Sequence, residues 1–464
     1  MDLNPHWRDR IKEIGKSAFE IEEMLRLGFL TEENLKSMQL STTQLEKLRQ
    51  QLAEVNQQLG PLLEESNKIS NTDQALQEIR SARIARVKAE REVRKARKAA
   101  EAAARAARWK SEKRVRPLYL GKGVSAKLDY SGGDQQRLLD LGLPIIDDLG
   151  DLAKLIGISP ESIQWLCYER GASKFDHYIR FEIPKRSGGK RLISAPKPQL
   201  RKAQSWVLKN ILENLEPSSS AYAFRPNKSI VDNAAVHIES KLIIKLDLKD
   251  FFPSISFYRV AGFFKSLGYN PGIASVLGLI CTDAPRAKVT IGDYTRIVST
   301  GERSLPQGAC TSPAIANLIA SPMDLRIKGA LNVLPGEWRY TRYADDLAIS
   351  SKSEPENIGK VLGLVNRIAK EEGFQTSEKK TRIMRAPRRQ SITNLVVSDK
   401  ISLNKSAIKN YRAFFHKCDT IGVKEYSKQI DRDALAVARG YIAFMHMVDP
   451  DLANKYRAKY NWLS

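Results

Sequence analysis

The sequence predicts an α+β protein with an all-helical N-terminal extension, and three observations carry that expectation. Two apolar runs have strand character. Leu242-Ile243-Ile244-Lys245-Leu246-Asp247 ends in a carboxylate, and Arg342 to Ser350 is interrupted by Asp345-Asp346. Between them a Gly- and Pro-bearing segment, Leu305 to Pro313, runs into the small residues Ala314-Ile315-Ala316-Asn317 and reads as a loop entering a helix. The first 117 residues instead hold leucines at three- and four-residue spacing, then a long charged and alanine-rich stretch. That is the pattern of helix without strand.

In the extension, Leu45, Leu48, Leu52, Val55 and Leu59 mark one helix, which Gly60-Pro61 is expected to stop. Two heptads are too few for a coiled coil, so packing on the rest of the chain is the expected use of that stripe. A second helix is predicted from Asn71-Thr72 to about Arg116, before Pro117. At about 1.5 Å per residue it would reach roughly 60 Å. From Arg80 to Arg116 there are fifteen Lys or Arg against four Glu, a net of +11 within a chain whose formal charge is +23. Its alanines, among them Ala99, Ala100 and Ala102, favour helix and leave little to bury. The helix is either a solvated charged rod or one that tracks nucleic-acid phosphates. In the second case Arg94, Lys95, Arg97 and Lys98 are the candidate RNA contacts.

The basic balance points to a polyanionic partner. Cys167, Cys281, Cys310 and Cys418 show no paired spacing, which argues against a zinc site or a disulfide framework and suits a reducing cytoplasm. The sequence has no apolar run of membrane-spanning length, and Met1 to Pro5 does not begin a signal peptide, so no membrane association is expected. The expected organisation is an extension over residues 1–117, a linker and short helical unit over 118–160, a catalytic body over 161–398 and a basic helical segment over 399–464.

Chemistry concentrates in the carboxylates. Asp147-Asp148 also follows an apolar pair, yet Leu149, Leu152, Leu155 and Ile156 come next at helical spacing, so it reads as a helix cap. Asp345-Asp346 lies within strand, where buried charge is costly unless something positive neutralises it. A divalent cation such as Mg²⁺ suits hard oxygen ligands. With Asp247 ending a neighbouring strand, the three carboxylates would form a two-metal site for phosphoryl transfer.

In this order, Asp247, the Leu305-Pro306-Gln307-Gly308-Ala309-Cys310-Thr311-Ser312-Pro313 loop with Asn317, and Tyr343-Ala344-Asp345-Asp346 resemble the palm motifs of reverse transcriptases. The wording is that of the retron type. Asn233-Ala234-Ala235-Val236-His237 is similar to the NAxxH element of that group. Ile392-Thr393-Asn394 is a degraded form of its VTG element, with Asn able to take the left-handed conformation of Gly. Cys310, where the family usually has Pro, is a further departure. The resemblance covers roughly residues 150–464 and implies a right-hand polymerase of fingers, palm and thumb.

It also implies roles. Asp247, Asp345 and Asp346 would be catalytic and hold two Mg²⁺ ions, and Lys380 would protonate the departing pyrophosphate. Lys190 and Arg191, on a fingers hairpin with its tip at Ser187-Gly188-Gly189, would hold the incoming triphosphate. Phe252 would block a ribose 2′-hydroxyl, Gln307 would line the nucleotide pocket, and Asn233 and His237 would meet RNA. Read from the residues alone, His237 is equally a satisfied core histidine and Phe252 a core ring. Lys380 could be a solvated helix-end lysine, Arg225 a structural ion-pair partner, and the basic shoulders at Lys190 and Arg191 an exposed turn. The implied activity is RNA-directed DNA synthesis from dNTPs on a cognate structured noncoding RNA, starting at a branch guanosine 2′-hydroxyl and giving msDNA. The implied setting is anti-phage defence, with an effector or toxin protein as partner and template removal by a separate host RNase H. Another defence-associated or intron-derived reverse transcriptase is the nearer alternative, and a non-catalytic RNA-binding antitoxin scaffold the more distant one.

Overall fold

The computed structural model describes residues 7–66, 72–121, 128–184, 188–353 and 357–463. It divides into two units, residues 1–106 and 107–464. The first is helical, with α1 (Trp7–Ile14), α2 (Lys16–Arg26), α3 (Glu32–Ser66) and most of α4 (Thr72–Val115). Pro61 lies inside α3, so Gly60-Pro61 does not stop that helix as expected. A proline forfeits one backbone hydrogen bond, and a helix of 35 residues tolerates the loss. Leu48, Leu52 and Val55 are exposed, which corrects the expectation that this stripe is packed. The 44 residues of α4 span about 66 Å, close to the predicted length.

The region expected as a linker and short helical unit over 118–160 holds short helices, and its described part is packed into the main core rather than set apart as a linker. Leu138, Leu143, Leu149, Leu152 and Ile156, on and around α5 (Gln135–Asp140) and α6 (Leu149–Ile156), are buried in it together with Ile163 of α7 (Pro160–Cys167). Apolar residues spaced for one helix face found a surface to cover. Asp148 caps α6 as predicted, accepting from the backbone N–H groups of Gly150 and Asp151 at 2.8 and 3.2 Å.

Next come β1 (Ala172–Ser173) and the hairpin of β2 (Tyr178–Pro184) and β3 (Lys190–Pro196), in register from Tyr178↔Pro196 to Pro184↔Lys190. Ser187 of the predicted tip, with Lys185 and Arg186 before it, lies outside the described residues. Helices α8 (Pro198–Asn210) and α9 (Ile230–Ala235) lead to β4 (Leu242–Asp247). Beyond it, α10 (Phe257–Ser266) and α11 (Pro271–Cys281) precede a second hairpin, β5 (Arg286–Ile291) and β6 (Tyr294–Ser299), which β1 extends. Helices α12 (Ser312–Ile319) and α13 (Ser321–Asn332) then enter the hairpin of β7 (Trp338–Tyr343) and β8 (Asp346–Ser351). After α14 (Ile358–Glu371), β9 (Arg382–Arg385) completes an antiparallel sheet of order β7-β8-β4-β9.

Alternation along β4 explains how this sheet sits. Leu242, Ile244 and Leu246 enter the main core, whereas Ile243 enters a second one. The second core joins Ala348 of β8 to a small sheet of β10 (Gln390–Ile392), β11 (Leu395–Val397) and β12 (Ile401–Leu403). Phe415, Ile442 and Met445, from the helical segment α15 (Lys405–Ile421), α16 (Val423–Ile430), α17 (Ala434–Val448) and α18 (Pro450–Lys459), complete it. The β10–β11 turn has φ of 47° at Thr393 and 68° at Asn394. A two-residue hairpin turn of the I′ kind needs positive φ at both centres, so Asn394 does take the conformation expected of a Gly. Among the described residues no helix is long and apolar enough to cross a membrane. All four cysteines are free.

Candidate active site

The two predicted carboxylate strands are neighbours. β4 and β8 pair in a register that sets Asp247 opposite Asp346, so both side chains leave the same face of the sheet. Tyr343 pairs with Asp346, which leaves Ala344 and Asp345 as the turn of the β7–β8 hairpin, Ala344 at φ 57°. The Asp345 carbonyl accepts from the Leu248 N–H at 2.9 Å, fastening the turn to the end of β4. Burial raises the Asp345 carboxyl above its usual range, and the like charges of Asp346 and Asp247 raise it further.

Cationic side chains answer these charges. Lys380 Nζ donates to both carboxylate oxygens of Asp247 at 2.9 and 2.8 Å, and this bond raises the ammonium pKa. The backbone places it, because Ser377 N–H donates to the Asp247 carbonyl at 2.7 Å and Lys249 N–H to the Gln375 carbonyl at 2.7 Å. Lys245, two residues before Asp247 on the same strand face, lies 3.7 Å from an Asp346 oxygen. Among the described residues no group of three His, Cys, Asp or Glu side chains is gathered closely enough to hold a metal ion. The donor chemistry nonetheless fits a divalent cation: the hard carboxylates of Asp247 and Asp346 share one face of the sheet, Asp345 adds a third at the adjoining turn, and their like charges help to raise the Asp345 carboxyl above its usual range.

Of the residues that hold the hairpin, the Arg342–Asp324 pair was not singled out in the sequence. Arg342 and Asp324 are fully buried and form an ion pair, Nη2 to Oδ2 at 2.8 Å and Nε to Oδ1 at 2.9 Å. Arg342 Nη1 also donates to Asn317 Oδ1 at 2.9 Å, Tyr340 OH to Asp324 Oδ1 at 2.8 Å, and Asn317 Nδ2 to the Ala223 carbonyl at 2.7 Å. Buried charges are tolerated where hydrogen bonds satisfy them in this way. The signal was present: an Arg in a buried strand directly before Tyr343 needs an acid, and α13 offers Asp324.

Arg191, Phe252, Gln307, Asp345 and Lys380 line one open cleft of about 420 Å³, a size suited to a small ligand. The Gln307 carbonyl accepts from Ser194 N–H at 2.7 Å, so the loop before α12 lies on β3. Gly308, at φ 116°, makes that approach possible, since a Cβ there would stand 2.9 Å from the Ser194 carbonyl oxygen. Lys190 does not line this cleft; it pairs with Glu182 at 2.6 Å on the exposed hairpin. Arg225 pairs with Glu216 at 2.7 Å, the structural role open to it from the sequence. The half-buried Phe252 ring meets Phe251 at 5.5 Å and Phe224 at 6.2 Å between centroids. Phe224 holds φ at 58°, a conformation that costs a bulky residue on the order of 1–3 kcal/mol.

The RNA contacts expected of Asn233 and His237 are corrected. Both are buried, and the His237 ring nitrogens lie 2.7 Å from Ser350 Oγ and 2.8 Å from Thr341 Oγ1. Burial pushes the His237 pKa down to about 3, helped by Arg339, so the ring is neutral near pH 7. The element braces β7 and β8 from behind, because an imidazole satisfied on both nitrogens inside a core has no surface left for RNA. Arg94, Lys95, Arg97 and Lys98 are exposed on α4, with Arg97 3.5 Å from Glu101.

Comparison with known proteins agrees with this geometry. A family profile described as Reverse transcriptase (RNA-dependent DNA polymerase) matches residues 183–414. The retron Mx162 reverse transcriptase of Myxococcus xanthus is 34% identical over 340 residues, covering 70% of this chain and 69% of the relative. This chain belongs to the retron reverse transcriptases. The retron Ec86 reverse transcriptase of Escherichia coli is 35% identical over 68% of this chain and 88% of its own length. A solved telomerase from Candida albicans, in complex with a fragment of telomeric RNA, is similar at 12% identity and a TM-score of 0.39, over 62% of this chain and 63% of its own. That likeness is too loose to place residues. As a retron reverse transcriptase the chain is an RNA-directed DNA polymerase of mixed α/β fold with a helical N-terminal region.

Proposed function

We propose that this reverse transcriptase copies its own structured noncoding RNA from a branch guanosine 2′-hydroxyl into RNA-linked single-stranded DNA, msDNA. The supporting observation is the cleft in which Asp345, Lys380, Phe252, Gln307 and Arg191 converge, in a chain about a third identical to retron enzymes. Asp247, Asp345 and Asp346 would hold two Mg²⁺ ions, which supply charge to activate the attacking hydroxyl and steady the leaving pyrophosphate. Lys380, already hydrogen-bonded to Asp247, donates a proton to that pyrophosphate. Arg191 holds the triphosphate, and Gln307 supports the nucleotide from the loop that rests on β3. Fingers and palm occupy residues 161–398, with α5 and α6 joined to the fingers, and α15 to α18 form the thumb. The complex with msDNA would restrain an effector protein in anti-phage defence, and a separate RNase H would trim the template. The test is to express the full chain with its flanking DNA and characterise the nucleic acid that copurifies. DNA joined to RNA through a 2′,5′ linkage is expected, released by debranching enzyme; DNA with no such linkage would refute the proposal.

Phe252 fills the space that a ribose 2′-hydroxyl needs. Phe252→Ala should raise the use of rNTP relative to dNTP by about tenfold or more in primer extension. An unchanged ratio in an active variant would return Phe252 to the core.

The exposed basic face of α4 binds the phosphates of the RNA or of the hybrid product. Changing Arg94, Lys95, Arg97 and Lys98 together to Gln keeps helix propensity and removes four charges. The slope of log affinity against log salt should fall by about 0.7–0.9 for each phosphate that is no longer neutralised. An unaltered slope would make α4 a protein-docking arm.

A further inference from the structure

Phe224 is an exposed aromatic residue held in a left-handed backbone conformation, at φ 58°, where Gly or Asn is the usual occupant. The surroundings enforce that backbone. Tyr222 N–H donates to the Arg342 carbonyl at 2.9 Å, and the Ala223 carbonyl accepts from Asn317 Nδ2 at 2.7 Å. Asn317 is the residue that also receives the buried Arg342 under the carboxylate hairpin. The turn at Phe224 is therefore tied to the same network as Asp345. The residue is 53% exposed, so packing in a core does not explain why a strained position carries so large a side chain.

The ring's position does explain it. Phe224 stands on the ridge between the nucleotide cleft and a second cleft of about 660 Å³ lined by Arg225, Pro226, Cys310 and Leu318. On the nucleotide side it meets Phe252, which also meets the buried Phe251. Phe252 is thus clamped between a core ring and a strained surface ring. Without Phe224, the Phe252 side chain loses that ring as a neighbour and can swing away from the space it occupies.

We infer that Phe224 is a positioning residue for sugar selection, keeping Phe252 seated against the 2′ position of the incoming nucleotide. The inference rests on the reading of Phe252 as the residue that excludes ribose. A base or sugar would meet Phe252, and Phe224 acts through it.

The test separates ring from backbone. Phe224→Gly removes the ring and relieves the left-handed strain, whereas Phe224→Ala removes the ring and keeps the strain. Phe224→Gly should therefore melt higher than Phe224→Ala. Both should lose discrimination of dNTP over rNTP by about tenfold, measured as the ratio of kcat/KM values in primer extension with the full chain. Phe224→Tyr should retain it. Loss of discrimination only in the less stable Ala variant would show that the effect follows folding and overturn the inference. So would equal losses of kcat/KM for dNTP and rNTP in the Gly variant. Phe252→Ala run alongside distinguishes the two levels. If it relaxes the ratio and Phe224→Gly does not, Phe252 selects the sugar unaided and the inference fails alone. If Phe252→Ala leaves the ratio unchanged, the reading of Phe252 fails and takes this one with it.

Discussion

Asp345→Asn should abolish DNA synthesis while leaving RNA binding and folding intact. The substitution keeps the size of the side chain at the hairpin turn and removes one of three neighbouring carboxylate charges. In the absence of a cation that charge is unfavourable, since burial, Asp346 and Asp247 all raise the Asp345 carboxyl above its ordinary range. A carboxyl whose pKa is higher folded than unfolded weakens the fold once pH exceeds the unfolded value, so the amide should melt no lower than wild type without Mg²⁺. Catalysis should fall by roughly a hundred- to a thousandfold or more, the scale seen when one electrostatic group is removed from a reacting centre. Primer extension and filter binding on one preparation check both halves. Synthesis at the wild-type rate would exclude Asp345 from the reaction.

Asp324→Leu should be the most destabilising of these substitutions. It leaves the Arg342 guanidinium buried beside Asn317 with no counter-charge, and removing one partner of such a pair typically costs about 3–5 kcal/mol. Urea unfolding of wild type and variant measures it. A second change, Arg342→Met in the Asp324→Leu background, should recover much of the stability because an apolar pair suits a buried site. Synthesis should remain low in the double variant, because Asn317 would no longer be tied to the strand that carries the hairpin. Full recovery of synthesis would mean that the network only stabilises the fold.

The carboxylate strands were legible because polar residues at the junction of apolar runs are costly. Asp247 and Asp346 therefore stood out as a pair of strand-end carboxylates, which the register sets opposite each other, just as Asp148 stood out as a cap. Gly308 was legible as a site of close approach. What could not be read was which polar residues face inward. His237 has the chemistry of an RNA ligand and the surroundings of a core residue, and only the placement of Ser350 and Thr341 decides between them. Arg342 and Asp324 lie in different elements, and a pair that meets through folding leaves no spacing to recognise. Gly60-Pro61 misled for the opposite reason: a local helix-ending signal was overridden by a long helix on both sides of it.

β4 is a wall with a tenant on each side. Leu242, Ile244 and Leu246 belong to one core and Ile243 to the other, while Asp247 ends the same six residues. The C-terminal helices therefore share a core with the strand that ends in Asp247. Replacing them would uncover Ile243 and Ala348, and with them the strands that set the spacing of the carboxylates. The inward faces of those helices are committed to holding the carboxylate strands in register, so substitutions that leave the strands in place belong on their outward faces.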